Sequence, residues 1–123
     1  MSKYRVTFTS MNVSNNGEWT GKGELYWNWL VDGNLIGSRL ISNTLKVADG
    51  ETIQLSAADD VSKNTGESLT VEGNVSEKDN LDKDEFASFK DVYSGPSWGV
   101  GNYGRNLRDG KLDVTVNYKI EKV

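Results

Sequence analysis

The chain has 123 residues, is 36% hydrophobic and 26% charged, and carries a formal net charge of -4. That is enough apolar material for one core, read as a single domain over residues 1–123, and the acidic balance without any Lys/Arg run argues against a nucleic-acid partner. Cysteine and histidine are both absent, which excludes disulfides, zinc–thiolate sites, imidazole ligands and Ser-His or Cys-His catalysis; any metal must be held by oxygen, which points to Ca²⁺ or Mg²⁺.

Tyr4, Val6 and Phe8 alternate with polar residues, and Met11 and Val13 continue on the opposite parity. This predicts a first strand with a bulge near Thr9–Ser10. Ser14 to Gly23 reads as a loop by its Asn and Gly content. Leu25, Trp27, Trp29 and Val31 share one face and Tyr26 and Leu30 the other, which predicts a central strand with both tryptophans in the core. Asp32-Gly33-Asn34 signals a hairpin turn, and Leu35 to Ile41 returns as a third strand.

Leu45, Val47, Ile53 and Leu55, broken by Asp49-Gly50, predict two short strands about a turn. Ala57 to Ser68 is polar and reads as a loop, whose Asp59 and Asp60 are either further ligands or part of a solvated turn. Leu69 to Val75 alternates as a strand, and Phe86 and Phe89 restart an apolar pattern. Tyr93 to Gly110 holds the only proline and many glycines, and reads as an irregular connection with room for one short strand. Its Trp98 and Tyr103 are either an exposed binding surface or anchors that hold the segment on the sandwich. Leu112 to Glu121 alternates cleanly. No window has a helical period, so the expected fold is all-β: an antiparallel β-sandwich of seven to eight strands. No apolar run reaches the length of a membrane span, and Met1 leads at once into a strand pattern. The expectation is a soluble protein, cytoplasmic or exported without a visible signal peptide.

Five carboxylates fall within residues 77–85: Glu77, Asp79, Asp82, Asp84 and Glu85. Crowded anions raise one another's pKa unless something positive neutralises them. Hard cations such as Ca²⁺ take six to eight oxygens, largely from carboxylates and carbonyls. The other reading is a solvated acidic loop. Loops at one end of a sandwich cluster in space, so Glu18 and Glu24, six apart in the first loop, can share that end. Six acidic side chains would then converge: Glu18, Glu24, Glu77, Asp79, Asp82 and Glu85. A divalent cation is the ordinary remedy for such a cluster. Strand alternation turns Asp84 away from Glu85 and out of the set.

At these two loops the chain resembles the C2 domain family. That family carries an acidic pair spaced by six in its first calcium loop. In the third loop, acidic positions fall at a start residue and at two and eight further on, with a polar ligand at five. Glu18 and Glu24 match the first pattern; Glu77, Asp79, Asp82 and Glu85 match the second. The resemblance covers about residues 3–92 and implies a C2-like sandwich that binds Ca²⁺ for recognition or targeting. It also implies that Trp19 and Leu81, at the loop tips, enter a phospholipid surface once the cation is bound. The sequence departs from the family in having Glu at four of the six positions, Glu24-Leu25-Tyr26 where Asp-Pro-Tyr is usual, and the glycine-rich 94–110 segment.

Two other readings stay open: a carbohydrate-binding or adhesion sandwich whose Trp98 and Tyr103 meet a glycan, and a structural interaction domain for a protein partner with a solvated acidic loop. Paired carboxylates also hydrolyse glycosides, but these are too numerous and lie in loops, with no second catalytic constellation. The expectation is a non-enzymatic module.

Overall fold

The computed structural model describes residues 2–18, 21–79 and 84–123. Among these, the strands are β1 (Ser2–Asn16), β2 (Gly23–Val31), β3 (Asn34–Arg39), β4 (Leu45–Val47), β5 (Thr52–Lys63), β6 (Ser68–Glu77), β7 (Glu85–Ser94), β8 (Gly101–Asp109) and β9 (Leu112–Lys122). They form two antiparallel sheets. One has the order β5-β1-β9-β8; the other runs β3-β2-β6-β7, with β4 also paired to β2. β3 and β4 meet different halves of β2 and are separated by a 3₁₀ turn, Ile41–Asn43, so together they make one interrupted edge. That leaves eight strand positions, in keeping with the expected seven to eight.

Alternation drives the assembly. In β2 and β9 every second residue is buried, and these faces meet across the sandwich. Phe8 stacks on Trp29 with ring centroids 4.9 Å apart, Trp29 neighbours Trp27 at 6.4 Å, and Phe89 stacks on Tyr118 at 5.8 Å. Both tryptophans of β2 are thus core residues. The first strand shifts register between Phe8 and Ser10, at the expected bulge. The hairpin turn has Asp32 at φ 49 and Gly33 at φ 79. Both central residues are left-handed, the geometry that matches the strand twist.

Two segments differ from the sequence reading. The polar stretch from Ala57 is strand for seven more residues, because β5 runs to Lys63 and pairs with β1 from Asn12↔Thr52 to Ser2↔Lys63. It is an edge strand whose inward positions include Ala57, Asp59, Val61 and Lys63, so its period-2 signal is hidden by small and polar residues. Asp59 and Asp60 lie opposite Val6 and Arg5, and Asp60 pairs with Arg5 at 2.7 Å. They are neither a third ligand loop nor a turn.

The glycine-rich segment is the second difference. After a turn with a cis Gly95–Pro96 peptide, Gly101–Asp109 forms a full edge strand against β9. Most of its side chains are exposed; beside its backbone pairing, Tyr103 and the buried Leu107 tie β8 to the core. Trp98 is buried, 4% exposed, and belongs to the core. Tyr103 packs on Tyr118 at 5.1 Å and donates from its hydroxyl to the Gly99 carbonyl at 2.6 Å. Trp98 and Tyr103 anchor the segment; they do not form an exposed aromatic platform.

Candidate functional site

The end of β1, the start of β2, the β4–β5 connection, residues 78–79 and 84 and the β8–β9 turn meet at one end of the sandwich. The chain arrives there through Asn15-Asn16-Gly17. Asn16 is buried, and its side-chain Nδ2 donates to the carbonyls of Gly21 (2.9 Å) and Val47 (2.8 Å). Its Oδ1 accepts from the Glu18 backbone N–H at 2.9 Å, and its own N–H donates to Asp49 Oδ1 at 2.8 Å. Asn16 therefore braces Glu18 and Gly21 and ties them to the β4–β5 connection. Gly17 has φ 88, and a Cβ there would lie 3.0 Å from Glu85 Oε1 and 3.1 Å from Glu77 Cγ. Only glycine lets the backbone pass over both carboxylates in that conformation.

Glu77 and Glu85 are the last and first residues of β6 and β7 and pair directly across the ladder. Like charges opposite one another destabilise a sheet. Glu77 shares its register with Leu25 of β2 and points into the sandwich, where it is 0% exposed. Neither of its carboxylate oxygens has a hydrogen-bond partner among the described residues. Burial pushes its pKa up to about 8, and Glu18, Asp79 and Glu85 push in the same direction. The Glu18 carboxyl lies close enough to share a proton with Glu77, which favours the protonated form of Glu77 further.

Glu85 has a different task. Its Oε2 accepts from the backbone N–H groups of Lys111 (2.7 Å) and Leu112 (2.9 Å), which anchors the β8–β9 turn. Glu24 is displaced from the set as well. It shares the end, since its carbonyl accepts from Lys78 N–H at 2.8 Å. Its side chain, however, lies on the opposite face of β2 from Leu25 and accepts from Thr44 at 3.4 Å. Alternation forces this, because Glu24 and the inward-facing Leu25 are consecutive.

Asp84 turns outward as expected, accepting from Tyr26 Oη at 2.7 Å and from Asp79 N–H at 3.0 Å. The Asp79 N–H and the Tyr26 hydroxyl hold the Asp84 carboxyl below its usual range. Asp82, Trp19 and Leu81 lie outside the described residues.

The six-carboxylate set thus contracts. Glu18, Asp79 and Glu85 all act on Glu77, Glu85 is also committed to the turn beside it, and Glu24 faces away. Among the described residues no group of three acidic side chains is close enough to hold an ion. The donor chemistry still fits a hard cation, because Glu77 presents two buried oxygens that nothing in the described chain satisfies. Asn16, Gly17 and Asp49 were missed in the sequence. Asn-Asn-Gly read only as a loop, and Asp49 only as a turn residue. It is Asp49, and neither Asp59 nor Asp60, that brings an acid from the third connection, and it lines an open pocket with Asn15, Glu18 and Lys111.

No protein-family model matches the sequence, and no curated protein matches it. Solved structures do. A C2 domain of plant extended synaptotagmin 1 superposes with a TM-score of 0.56 at 11% identity, covering 98% of this chain and 93% of that one. A structure described simply as a C2 domain gives 0.53 at 12% identity, covering 98% and 99%. The fold is that of C2 domains. The C2-like chain also matches part of human GIVD cytosolic phospholipase A2, with a TM-score of 0.51 and 12% identity over 98% of this chain and 16% of that protein. Among the described residues no helix is long and apolar enough to cross a membrane.

Proposed function

We propose that this C2-like sandwich is a non-enzymatic module for Ca²⁺-dependent recognition or targeting, with Glu77 at the centre of its cation site. One observation carries the reading: a fully buried carboxylate, without a partner among the described residues, surrounded by other carboxylates. Leaving a buried charge unpaired is among the costliest arrangements a protein can hold. A cation entering between Glu18, Glu77 and Asp79 would remove that cost, with Asp82 the remaining acidic candidate from the sequence pattern. Bound Ca²⁺ supplies positive charge and further coordination positions for a partner's oxygens.

The chain's own residues do the rest. Asn16 and Gly17 hold Glu18 over the site, Glu85 fixes the turn beside it, and Asp84, held by Tyr26, accepts from the Asp79 N–H. The resemblance of the loop spacing to C2 calcium loops supports the assignment. The burial of Trp27, Trp29 and Trp98 speaks against the glycan reading.

A second reading is favoured by the raised pKa of Glu77: a proton, and no metal, neutralises it, and the domain is a structural interaction module. Calorimetric titration with Ca²⁺ separates the two, beside pelleting with phosphatidylserine–phosphatidylcholine vesicles and a glycan array. Saturable heat together with a Tm rise is expected. At a hundred times Kd the stabilisation is about 2.7 kcal/mol. No heat and an unchanged Tm in millimolar Ca²⁺ would leave the protonated reading standing.

A further inference from the structure

The opposite end of the sandwich holds a cavity of about 500 Å³ that the calcium reading does not use. It lies where β1 begins and β5 and β9 end, and its walls include Tyr4, Lys63, Gly95, Trp98 and Lys122. Lys63 and Lys122 are its charged lining residues, and no carboxylate lines it among the described residues. The Lys63 side chain is only 9% exposed, and its Nζ lies 2.7 Å from Asp32 Oδ2. An ammonium has three donors, so two remain after Asp32 is served. Lys122 sits opposite Tyr4 in the β1–β9 ladder, is exposed, and has no ion pair among the described residues.

The apolar wall is built with care. Tyr4 and Trp98 are 3% and 4% exposed, with ring centroids 6.2 Å apart. Trp98 has φ 53, a left-handed backbone that is strained for a bulky residue. Its indole is seated on Gly95, where a Cβ would come within 3.0 Å of Cζ2.

We propose that this cavity binds the phosphate monoester of a small polyol. The phosphate sits at Lys63 and Lys122, and the polyol body lies against the Tyr4–Trp98 wall. Lysine ammoniums act as point charges suited to phosphate, whereas planar carboxylate recognition favours the fork of an arginine, and none lines this cavity. The neutral polar lining of Ser2, Asn64 and Thr65 offers hydrogen bonds to hydroxyls. The volume falls in the range of small-molecule sites, roughly 300–1,000 Å³. A free phosphorylated polyol and a phosphoinositide headgroup share this chemistry. The site is independent of the calcium end, so either assignment can fail without the other.

The test is a ¹H–¹⁵N titration of the whole chain, without Ca²⁺, using myo-inositol 1-phosphate as probe and myo-inositol as its unphosphorylated control. The expected result is a saturable shift of the Trp98 indole and Gly66 amide signals with the phosphate ester and none with inositol. Lys122→Glu should weaken binding about tenfold or more, whereas Lys90→Glu, on the exposed face of β7, should leave it unchanged. Should Lys122→Glu disturb the spectrum as a whole, Lys122→Ala gives the same comparison with the charge only removed. Pelleting with phosphatidylcholine vesicles, with and without phosphatidylinositol 4-phosphate, then separates the sources. Lys122-dependent capture assigns the lipid headgroup, and no capture assigns the free ester. No saturable shift at millimolar ester, equal shifts with inositol, or indifference to both Lys122 variants overturns the proposal.

Discussion

Two strands of the sandwich end on a buried charged side chain. β5 ends on Lys63 at one pole, and β6 ends on Glu77 at the other. Lys63 meets Asp32 at 2.7 Å. Asp32 in turn accepts from the Thr70 N–H at 2.9 Å and sits in a hairpin turn that holds it in place. Glu77 meets Glu18, Asp79 and Glu85, all of its own sign. The chain builds a counter-charge into one pole, and at the other it builds a rigid frame from Asn16, Gly17 and Glu85 around a carboxyl left without one. The difference is that the buried charge of Lys63 is balanced before any ligand arrives, whereas the Glu77 carboxyl is not.

Breaking the satisfied pole should give the largest effect. Asp32→Asn keeps the turn and an acceptor for Thr70 but strands the Lys63 charge. It should cost about 3 kcal/mol in urea unfolding, the low end for breaking a buried pair. A loss under about 1 kcal/mol would mean that Lys63 behaves as an exposed group.

Relieving the unsatisfied pole should have the opposite sign. Glu77→Gln, measured without metal at pH 9, should raise stability by about 1–3 kcal/mol, the penalty of an unpartnered buried group. The pH profile sharpens this. Below 4.5, its ordinary value, Glu77 holds a proton in the folded and unfolded chains alike. Between 4.5 and about 8 only the folded chain keeps that proton. Unfolding then releases it, so stability falls as pH rises, and the loss is complete above about 8. Wild type should show this decline without metal, and Glu77→Gln should lack it. Equal pH profiles for the two would place the titrating group elsewhere.

The smallest effects concern the rim. Asp79→Asn should weaken Ca²⁺ affinity more than Asp84→Asn, because Asp84 faces Tyr26 on the outer surface. Glu24→Gln should leave the affinity unchanged, since its side chain faces Thr44. Calorimetric titration of the three variants orders them, and a larger loss with Glu24→Gln than with Asp79→Asn would reverse the assignment of faces.

Much of the frame was legible because period-2 alternation leaves its mark where one sheet face is apolar, as in β1, β2, β6 and β9. It faded in the second half of β5, where Ala57, Asp59 and Lys63 interrupt the inward row, and in β8, where Tyr103 and Leu107 are set among glycine, asparagine and arginine. The two-loop cluster at one end was legible from the clustering of sandwich loops together with the resemblance of the acidic spacing to C2 loops. Its membership was not, because spacing does not record which side of a strand a residue faces. Glu24 follows the six-residue rule and is turned outward by the burial of Leu25. Glu85 follows the eight-residue rule and is spent on two backbone amides. Asn16 was unreadable as a site organiser, because an asparagine in a glycine-rich loop signals a turn whether or not its amide is buried.

The most direct test is the titration of the Glu77 carboxyl carbon itself, followed by ¹³C NMR against pH with and without saturating Ca²⁺. Without the metal the midpoint should lie at about 8. With Ca²⁺ it should fall well below that, because a cation binds the deprotonated form and competes with the proton. A midpoint near 4.5 without metal, or one that stays at about 8 in saturating Ca²⁺, would contradict the claim that Glu77 is the buried anion around which this end is built.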